Sequence, residues 1–276
     1  MKSIYLVLLL IAGFRAFSQQ QPYPYQIEVK YKLRSQPDST DKQNINEEFV
    51  SLLIGDAQSL FCATQYLVMD SAIRTEFIKG NALGPSMDFF VTQGTRNSLV
   101  VFKNTENVIT YERVAAFVSP ATTYYYLEPK SQLAWKISED TLSIAGIPCQ
   151  KATVDFGGRR WEAWFAASIP ISEGPYKFNG LPGLILKIKD SQEYWNFDLA
   201  SIRSINKNLQ VHFLNDKIQP IENKDTFLSR KRSAKYNRFQ LMKIQGFTFS
   251  NPAGAMKQYE DEAKKDNNWI EPYKGK

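Results

Sequence analysis

The chain of 276 residues is 43% hydrophobic, 13% aromatic and 22% charged, with a formal net charge of +6. This length and composition predict either one large folded domain or a medium domain with an appendage, and they exclude a disordered or collagen-like chain. The charge balance is only mildly basic and indicates no nucleic-acid partner.

The first 18 residues have the three parts of a secretory signal peptide. Lys2 supplies the positive start, residues 4–13 form a short apolar run, and residues 16–18 fit a small-x-small cleavage site. The apolar run is shorter than the ~20 residues that span a bilayer, so we expect cleavage after Ser18. No cysteine follows the run, which argues against a lipoprotein. We therefore expect a periplasmic or secreted mature protein without a transmembrane segment.

The mature sequence begins with strand patterns. Apolar residues alternate with charged residues from Ile27 to Leu33, which predicts a half-buried strand. Two further strands are predicted at 49–55 and 59–65. Residues 67–79 have helical apolar spacing and predict a helix.

From residue 99 onward, short extended segments recur about every ten residues. This spacing favours an antiparallel sheet over alternating strands and helices. The predicted strands are 99–103, 108–118, 122–128 and 133–137.

Two hairpins are predicted after these strands. Gly157 and Gly158 tolerate the positive φ of a two-residue hairpin turn, and they separate strands at 149–156 and 159–166. The second hairpin turns at 191–193. We therefore expect neighbouring antiparallel pairs on both sides of residue 180.

The composition changes after residue 215. Residues 223–245 predict a basic helix, and Asn251-Pro252 fits the N-cap and first-turn proline of another helix. The predicted fold is α+β: a large, curved antiparallel sheet of half-barrel shape with helices covering one face. The predicted division is a signal peptide at 1–18, a β-rich domain at 19–215, and a helical segment at 216–276 on or beside the sheet.

The sequence contains no recognisable catalytic or metal-binding motif. His212 is the single histidine and lies in an extended apolar pattern, where a packed structural role is the more common one. Two distant cysteines and one histidine make a poor ligand set for zinc. No catalytic residue, metal or cofactor is predicted.

Four carboxylates near the hairpins keep one enzymatic alternative open. Asp155, Glu162, Asp190 and Asp198 supply the residue type that hydrolyses glycosides when two acids converge. Acidic residues also alternate onto the exposed face of any sheet, and Asp190 is next to a turn. The expected role of these residues is structural, with a carboxylate hydrolase as the alternative.

Aromatic residues are dense between residues 124 and 197. One face of the sheet can bury them as core, but a second aromatic face needs a cover, either helices of the same chain or a ligand. The candidate ligand-binding residues are Trp135, Trp161, Trp164, Tyr176, Phe178 and Trp195.

The two cysteines, Cys62 and Cys149, have two interpretations. In an oxidising compartment a pair can form a disulfide. Two separate buried thiols that act as small hydrophobic residues are the alternative. The sequence leaves both open.

The uncharged stretch at 180–185 predicts a turn. Pro182 fixes φ at the second position of a type II turn, and Gly183 would supply the positive φ of the third position. The strand at 184–190 follows directly. The motif turn comprises Gly180, Leu181, Pro182, Gly183, Leu184 and Ile185.

The segment 144–190 resembles the GLPGLI family of secreted Bacteroidetes proteins. The matching elements are G-x-x-C-Q-K-A at 146–152, G-R-x-W-E-A-W at 158–164, and I-P-I-x-x-G-P-Y-K-F-x-G-L-P-G-L-I at 169–185. The resemblance implies a one-domain envelope protein of largely uncharacterised function, often associated with TonB-dependent outer-membrane transport, without established catalytic residues. The strand order is also similar to that of periplasmic lipoprotein carriers, which concerns the fold alone.

These observations predict a secreted, non-enzymatic envelope protein. It would bind a hydrophobic ligand, a lipid or an extended peptide, or act as an accessory to a TonB-dependent transporter. A purely structural partner of a membrane complex is a further alternative.

Overall fold

The computed structural model describes residues 23–68, 99–114, 122–130, 133–209 and 217–272. The predicted signal peptide, His212 and most of the predicted helix 67–79 lie outside these ranges, although residues 64–68 are helical. The strands are β1 (Tyr23–Ser35), β2 (Asn46–Ile54), β3 (Ser59–Ala63), β4 (Val100–Lys103), β5 (Asn107–Val114), β6 (Thr122–Pro129), β7 (Lys136–Ile144), β8 (Ile147–Phe156), β9 (Arg159–Ala166), β10 (Leu184–Asp190), β11 (Trp195–Leu209) and β12 (Lys217–Pro220). The C-terminal helices are α1 (Lys224–Tyr236), α2 (Arg238–Ile244) and α3 (Pro252–Lys265).

The twelve described strands form one open sheet. Their order is β12-β6-β5-β4-β3-β2-β1-β11-β10-β9-β8-β7. Neighbouring strands are antiparallel, apart from β12, which runs parallel to β6. The predicted α+β fold with a large antiparallel sheet is confirmed.

The sheet is strongly bent. Eight strands lie between β6 and β8 in the sheet order. In a flat sheet these two strands would be ~43 Å apart, at about 4.8 Å per strand. Glu128 of β6 and Phe156 of β8 nevertheless line one small cavity of about 210 Å³. The sheet therefore curves around a concave interior.

Local sequence signals produce both predicted hairpins. Gly157 and Gly158 adopt φ values of 60° and 82° between β8 and β9, as a type I′ turn requires. In the second hairpin, Glu193 donates its backbone N–H to the carbonyl of Asp190, and β10 pairs with β11. Both hairpin predictions are confirmed.

The C-terminal segment contains two capped helical regions. The Asn223 side chain accepts from the Thr226 backbone N–H at 2.9 Å, and the predicted basic helix is divided at Asn237 into α1 and α2. Asn251 accepts from the Gly254 N–H at 3.0 Å and caps α3, so the predicted asparagine–proline start is confirmed.

Helix α1 packs on the concave side of the sheet. It buries Phe227 and Leu228 in a cluster with Val114 of β5 and Tyr126 of β6. The C-terminal segment also contributes a strand, β12, next to β6. Among the described residues, no helix has the length and apolar character needed to cross a bilayer.

Candidate functional site

A cavity of about 510 Å³ lies between α1, residues 266–271 and the concave face of the sheet. Aromatic and aliphatic side chains contribute much of its wall, among them Leu33, Phe61, Tyr176, Trp195, Phe197 and Phe227. A smaller charged part of the wall includes Glu112, Lys231, Lys235, Arg238, Asp266 and Glu271.

Residues 266–271, which we call the C-terminal strap, form one wall of this cavity. The backbone N–H groups of Asn267 and Asn268 both donate to the carbonyl of Pro37, just after β1. The indole N–H of Trp195 donates to the carbonyl of Asn268 at 3.1 Å. Hydrogen bonds therefore fix the backbone of the strap to β11 and to the segment that follows β1.

Arg159 fastens the strap to the β8–β9 hairpin. Its guanidinium donates to the carbonyls of Trp269 and Ile270, at 2.7 and 3.0 Å, and to the Asn268 amide oxygen at 2.6 Å. The same group forms a buried ion pair with Asp190 at 3.1 Å. Arginine suits this position because its planar fork can serve several acceptors at once.

A buried ionic network links the strap to the motif loop, residues 167–183 between β9 and β10. Lys177 is 3% exposed and donates to Glu271 at 2.6 Å and to Glu128. Lys224 of α1 donates to the other oxygen of Glu271 at 2.6 Å, and the Tyr176 hydroxyl also donates to Glu271. Glu271 is therefore held from three directions.

The two lysines control the protonation of Glu271. Burial alone would raise the pKa of this carboxyl, but Lys177 and Lys224 outweigh burial and lower the pKa to about 2. Burial raises the pKa of the Tyr176 phenol well above its ordinary value, and the charge of Glu271 adds to that effect. Glu271 is thus ionised and Tyr176 neutral at physiological pH.

Two lysines of α1 surround the ring of Trp269 beside the cavity. The ammonium groups of Lys231 and Lys235 lie 4.7 and 5.3 Å from the Trp269 ring centroid. Lys231 pairs with Glu112 at 2.6 Å, and Lys235 pairs with Asp266. The indole N–H of Trp269 is buried and has no hydrogen-bond partner among the described residues.

The motif loop fills the other part of the concave interior. Phe178 has no exposed surface, and the Lys103 ammonium donates to the carbonyls of Gly174 and Phe178 at 3.0 and 3.2 Å. The aromatic rings around Phe178 belong to Trp135, Phe156, Trp161 and Tyr176. Residues 174–179 of the loop are therefore core, and the charged and polar atoms of the loop bind to neighbouring strands.

The predicted type II turn is wrong. Gly183 does not have a positive φ, whereas Gly180 has a φ of 93°. Gly183 is required for a different reason, because a Cβ at this position would lie 2.2 Å from the carbonyl oxygen of Ala166. The backbones of the motif loop and the end of β9 thus approach too closely for any side chain. Leu181, Leu184 and Ile185 are buried in the core.

The structure gives the six candidate aromatic residues different positions. Tyr176 and Trp195 line the larger cavity, whereas Trp161 and Phe178 belong to the main core cluster. Trp135 donates its indole N–H to the carbonyl of Asn179 at 2.8 Å. The remaining residue is Trp164, which lies on the opposite face of β9 from the buried Trp161, 5.7 Å from the Lys151 ammonium.

The four hairpin carboxylates do not converge. Asp190 faces the interior and pairs with Arg159, whereas the other three acids pair with basic residues at more exposed positions. The latter pairs are Asp155–Arg160, Glu162–Lys151 and Asp198–Lys187. Among the described residues, no group of histidine, cysteine and acidic side chains is placed to hold a metal ion.

The two cysteines are not bridged. Both are buried, with Cys149 in the main core cluster and Cys62 in a separate cluster on the other side of the sheet's first strands. Of the two interpretations drawn from the sequence, the structure has two separate buried thiols.

Sequence reasoning missed the charged residues of the site. Lys177 lies between Tyr176 and Phe178, where strand alternation would place it in solvent and not in the core. Lys231 and Lys235 follow Phe227 at helical spacings of four and eight, which places all three on one face of α1. No sequence pattern near Glu271 or Trp269 indicates that they belong to the site, because their partners are distant in sequence.

Comparisons with known proteins give a short family match and a fold match. A family model described as "Protein of unknown function (Porph_ging)" matches residues 157–187, which include β9 and the motif loop. No curated protein matches the sequence. Two crystal structures of PNGF-II, in space groups P21 and C2, superpose with TM-scores of 0.51 and 0.50 at 15% identity. The match covers 76% of this chain but only about a third of the PNGF-II chain, 34% and 33% respectively. This likeness concerns the sheet fold alone.

Proposed function

We propose that this protein is a non-enzymatic binding protein of the cell envelope that holds a hydrophobic ligand in the 510 Å³ cavity. The observation that carries the proposal is the cavity itself, which is concave, largely aromatic and aliphatic, and limited by a small charged wall. Its volume is within the range of about 300–1,000 Å³ that is usual for small-molecule sites.

Sequence features support the proposed location and family. The signal-peptide pattern supports export to the periplasm or beyond. The motif at 169–185 supports membership of the GLPGLI family, and the family match at 157–187 covers much of that motif. A TonB-dependent outer-membrane transporter is the partner that this membership would imply.

The charged side chains favour binding over hydrolysis. Asp190 lies on the other face of the sheet from the other three acids and is engaged by Arg159, and each of those three acids is paired with a basic residue. Glu271 lines the cavity but is neutralised by Lys177 and Lys224. An ionised, doubly paired carboxylate is a poor general acid.

The proposal is tested with N-phenyl-1-naphthylamine, a neutral probe that fluoresces when it enters an apolar site. We expect saturable binding to the mature protein. Leu228 lines the cavity and is 8% exposed, so Leu228→Trp should fill the cavity and weaken probe binding at least about tenfold.

The matched control is Leu127→Trp, because Leu127 is 51% exposed on β6 and does not line the cavity. This variant should bind the probe as the wild type does. Circular dichroism establishes that both variants are folded. Absence of saturable binding to the wild type, or equal binding by the folded Leu228→Trp variant, would contradict the proposal.

A further inference from the structure

We propose that Lys177 sets the length of the apolar ligand that the 510 Å³ cavity accepts, because its side chain separates this cavity from the smaller cavity of about 210 Å³. This inference rests on the proposed function, since it specifies a property of the ligand that the larger cavity would hold. It depends on which residues line the two cavities and on the hydrogen bonds between those residues.

The Lys177 side chain lies where the two cavities meet. Lys177 lines the smaller cavity, whereas Tyr126, Tyr176 and Glu271 line the larger one. The Lys177 ammonium donates to Glu271 at 2.6 Å and to the Tyr126 hydroxyl at 3.1 Å. Among the described residues, none lines both cavities. On this side, the larger cavity therefore ends at the hydrogen bonds of a residue that belongs to the wall of the smaller one.

Strand β6 shows how close the two cavities are. Tyr126 and Glu128 are two positions apart on this strand, so their side chains lie on the same face, about 7 Å apart along the strand. Tyr126 lines the larger cavity and Glu128 the smaller one, and the Lys177 ammonium contacts both side chains. The two cavities are therefore separated by little more than the width of one side chain.

The ionic contacts of Lys177 hold this separation in place. Lys177 and Glu271 are 3% and 5% exposed, so displacing Lys177 would leave a buried carboxylate without one of its two cations. Loss of a partner from a buried ion pair corresponds to an affinity loss on the order of 10²- to 10³-fold. Each additional buried methylene strengthens binding only about fourfold. A chain that reaches Lys177 therefore gains more by ending there than by extending one or two methylenes further.

The smaller cavity could accept an apolar chain if Lys177 did not block it. Val108, Leu133 and Phe156 contribute apolar side chains to its wall. Alanine at position 177 would remove the ammonium and most of the stem that carries it. We therefore expect Lys177→Ala to join the two cavities into one longer site.

The test measures how affinity depends on chain length. Straight-chain alcohols from octanol to tetradecanol are titrated, each below its solubility limit, against the bound naphthylamine probe. In the wild type, affinity should rise about fourfold per methylene up to a limiting length, and two further methylenes should then add less than about twofold. In Lys177→Ala the same two methylenes should strengthen binding at least about tenfold, because they enter the smaller cavity.

Two further variants separate the loss of the side chain from the loss of the ion pair. Lys177→Met removes the same charge but keeps much of the side-chain volume, so the limiting length should be greater in Lys177→Ala than in Lys177→Met. Leu133 lines only the smaller cavity. Adding Leu133→Trp to Lys177→Ala should fill the newly joined space and shorten the limiting length again. Circular dichroism establishes that each variant is folded.

Leu133→Trp in the wild-type background tests the separation even if Lys177→Ala does not fold. Because the smaller cavity is closed to the ligand, this variant should leave the limiting length unchanged, whereas Leu228→Trp should weaken binding of every alcohol. A shorter limit in Leu133→Trp would show that the two cavities are already continuous and would overturn the role of Lys177.

The outcomes also distinguish this inference from the proposed function. If the wild type binds the probe but affinity rises without a limit, or if folded Lys177→Ala has the wild-type limit, Lys177 does not set ligand length and the binding function still stands. If the wild type binds neither the probe nor any alcohol, both proposals are overturned.

Discussion

The concave interior has two regions that use aromatic residues in different ways. In the motif region, formed by β8–β10 and residues 167–183, the chain inserts its own loop, and Phe178 is surrounded by four other rings. In the cavity region, formed by β5, β6, β11, α1 and the strap, aromatic residues such as Trp195 and Trp269 line the cavity. Whether an aromatic residue becomes core or cavity wall thus depends on whether a distant loop covers it.

The two regions are also held together by different forces. In the motif region, apolar contacts and close backbone approach are joined by a buried ion pair between Lys103 and Glu173 at 2.6 Å, whereas the strap closes the cavity region mainly with hydrogen bonds and ion pairs. Lys177 and Glu271 connect the two regions. If this contrast is correct, the same kind of substitution should change the free energy of unfolding by different amounts in the two regions.

The largest effect is expected at Gly183. A Cβ at this position would lie 2.2 Å from the Ala166 carbonyl oxygen and 2.9 Å from the Ala167 Cα, so the backbone itself must move. Gly183→Ala should lower the free energy of unfolding by more than about 3 kcal/mol or prevent folding. Chemical denaturation measures this change.

Gly146→Ala is the matched control for that prediction. Gly146 has a φ of 79° in the β7–β8 turn, and a Cβ there would meet no atom within 4 Å. Only backbone strain should destabilise this variant, lowering its free energy of unfolding by about 1 kcal/mol. Equal effects of the two alanine variants would show that close approach at Gly183 does not hold the motif region together.

The next largest effect is expected at Lys177, between the two regions. Lys177→Met leaves Glu271 and Glu128 without their shared buried cation, although Lys224 remains close to both. Loss of one partner of a buried ion pair costs about 3–5 kcal/mol. Urea denaturation should show a loss of this size.

The control is the more exposed pair Lys187–Asp198, whose side chains are 31% and 42% exposed. Lys187→Met should change the free energy of unfolding by less than about 1 kcal/mol. If Lys177→Met were as mild as this control, the ionic network would not be what joins the strap to the motif loop.

Acid should weaken the attachment of the strap through Glu271. Burial opposes ionisation of Glu271, but Lys177 and Lys224 hold its pKa at about 2, below the ordinary value of 4.5. The unfolded chain therefore binds this proton first as the pH falls. The stabilisation is complete above about pH 4.5 and disappears as the pH falls toward 2, a loss on the order of 3 kcal/mol.

Equilibrium unfolding between pH 6 and pH 2 measures this loss. In Glu271→Gln the decline over that range should be smaller than in the wild type, because the titrating group is absent. Asp155→Asn, at an exposed position, should retain the wild-type decline. Parallel curves for the wild type and Glu271→Gln would rule out Glu271 as a source of acid sensitivity.

The sequence carries the local part of this fold. Alternation identifies the early strands, Gly157-Gly158 identifies a hairpin, and Asn251-Pro252 identifies the start of α3, because each depends on residues only a few positions apart. Even the requirement for glycine at 183 was visible. Its cause was not, since the obstacle is the backbone of Ala166, on a strand that pairs with β10.

The candidate site was less predictable because its contacts are not local. Lys177 and Glu271 are 94 residues apart, and Arg159 reaches the strap more than 100 residues away. Aromatic density therefore indicated the right part of the chain but not which rings face a cavity. Tyr176 and Trp195 line it, whereas Phe178 does not. That difference arises from the positions of the motif loop and the strap, which the spacing of apolar residues in the sequence does not predict.

The smallest expected difference in the free energy of unfolding is between leucine-to-alanine substitutions in the two regions. Leu181 is buried in the packed motif region, so Leu181→Ala should create a new void and cost about 3 kcal/mol. Leu228 borders the cavity, so truncating it would enlarge an existing space, and Leu228→Ala should cost about 1 kcal/mol. Leu127→Ala, at an exposed position, should be near zero. Thermal and urea denaturation give the three values. An equal cost at Leu181 and Leu228 would mean that the wall around Leu228 is as tightly packed as the core, and the contrast between a filled and an open region would then be lost.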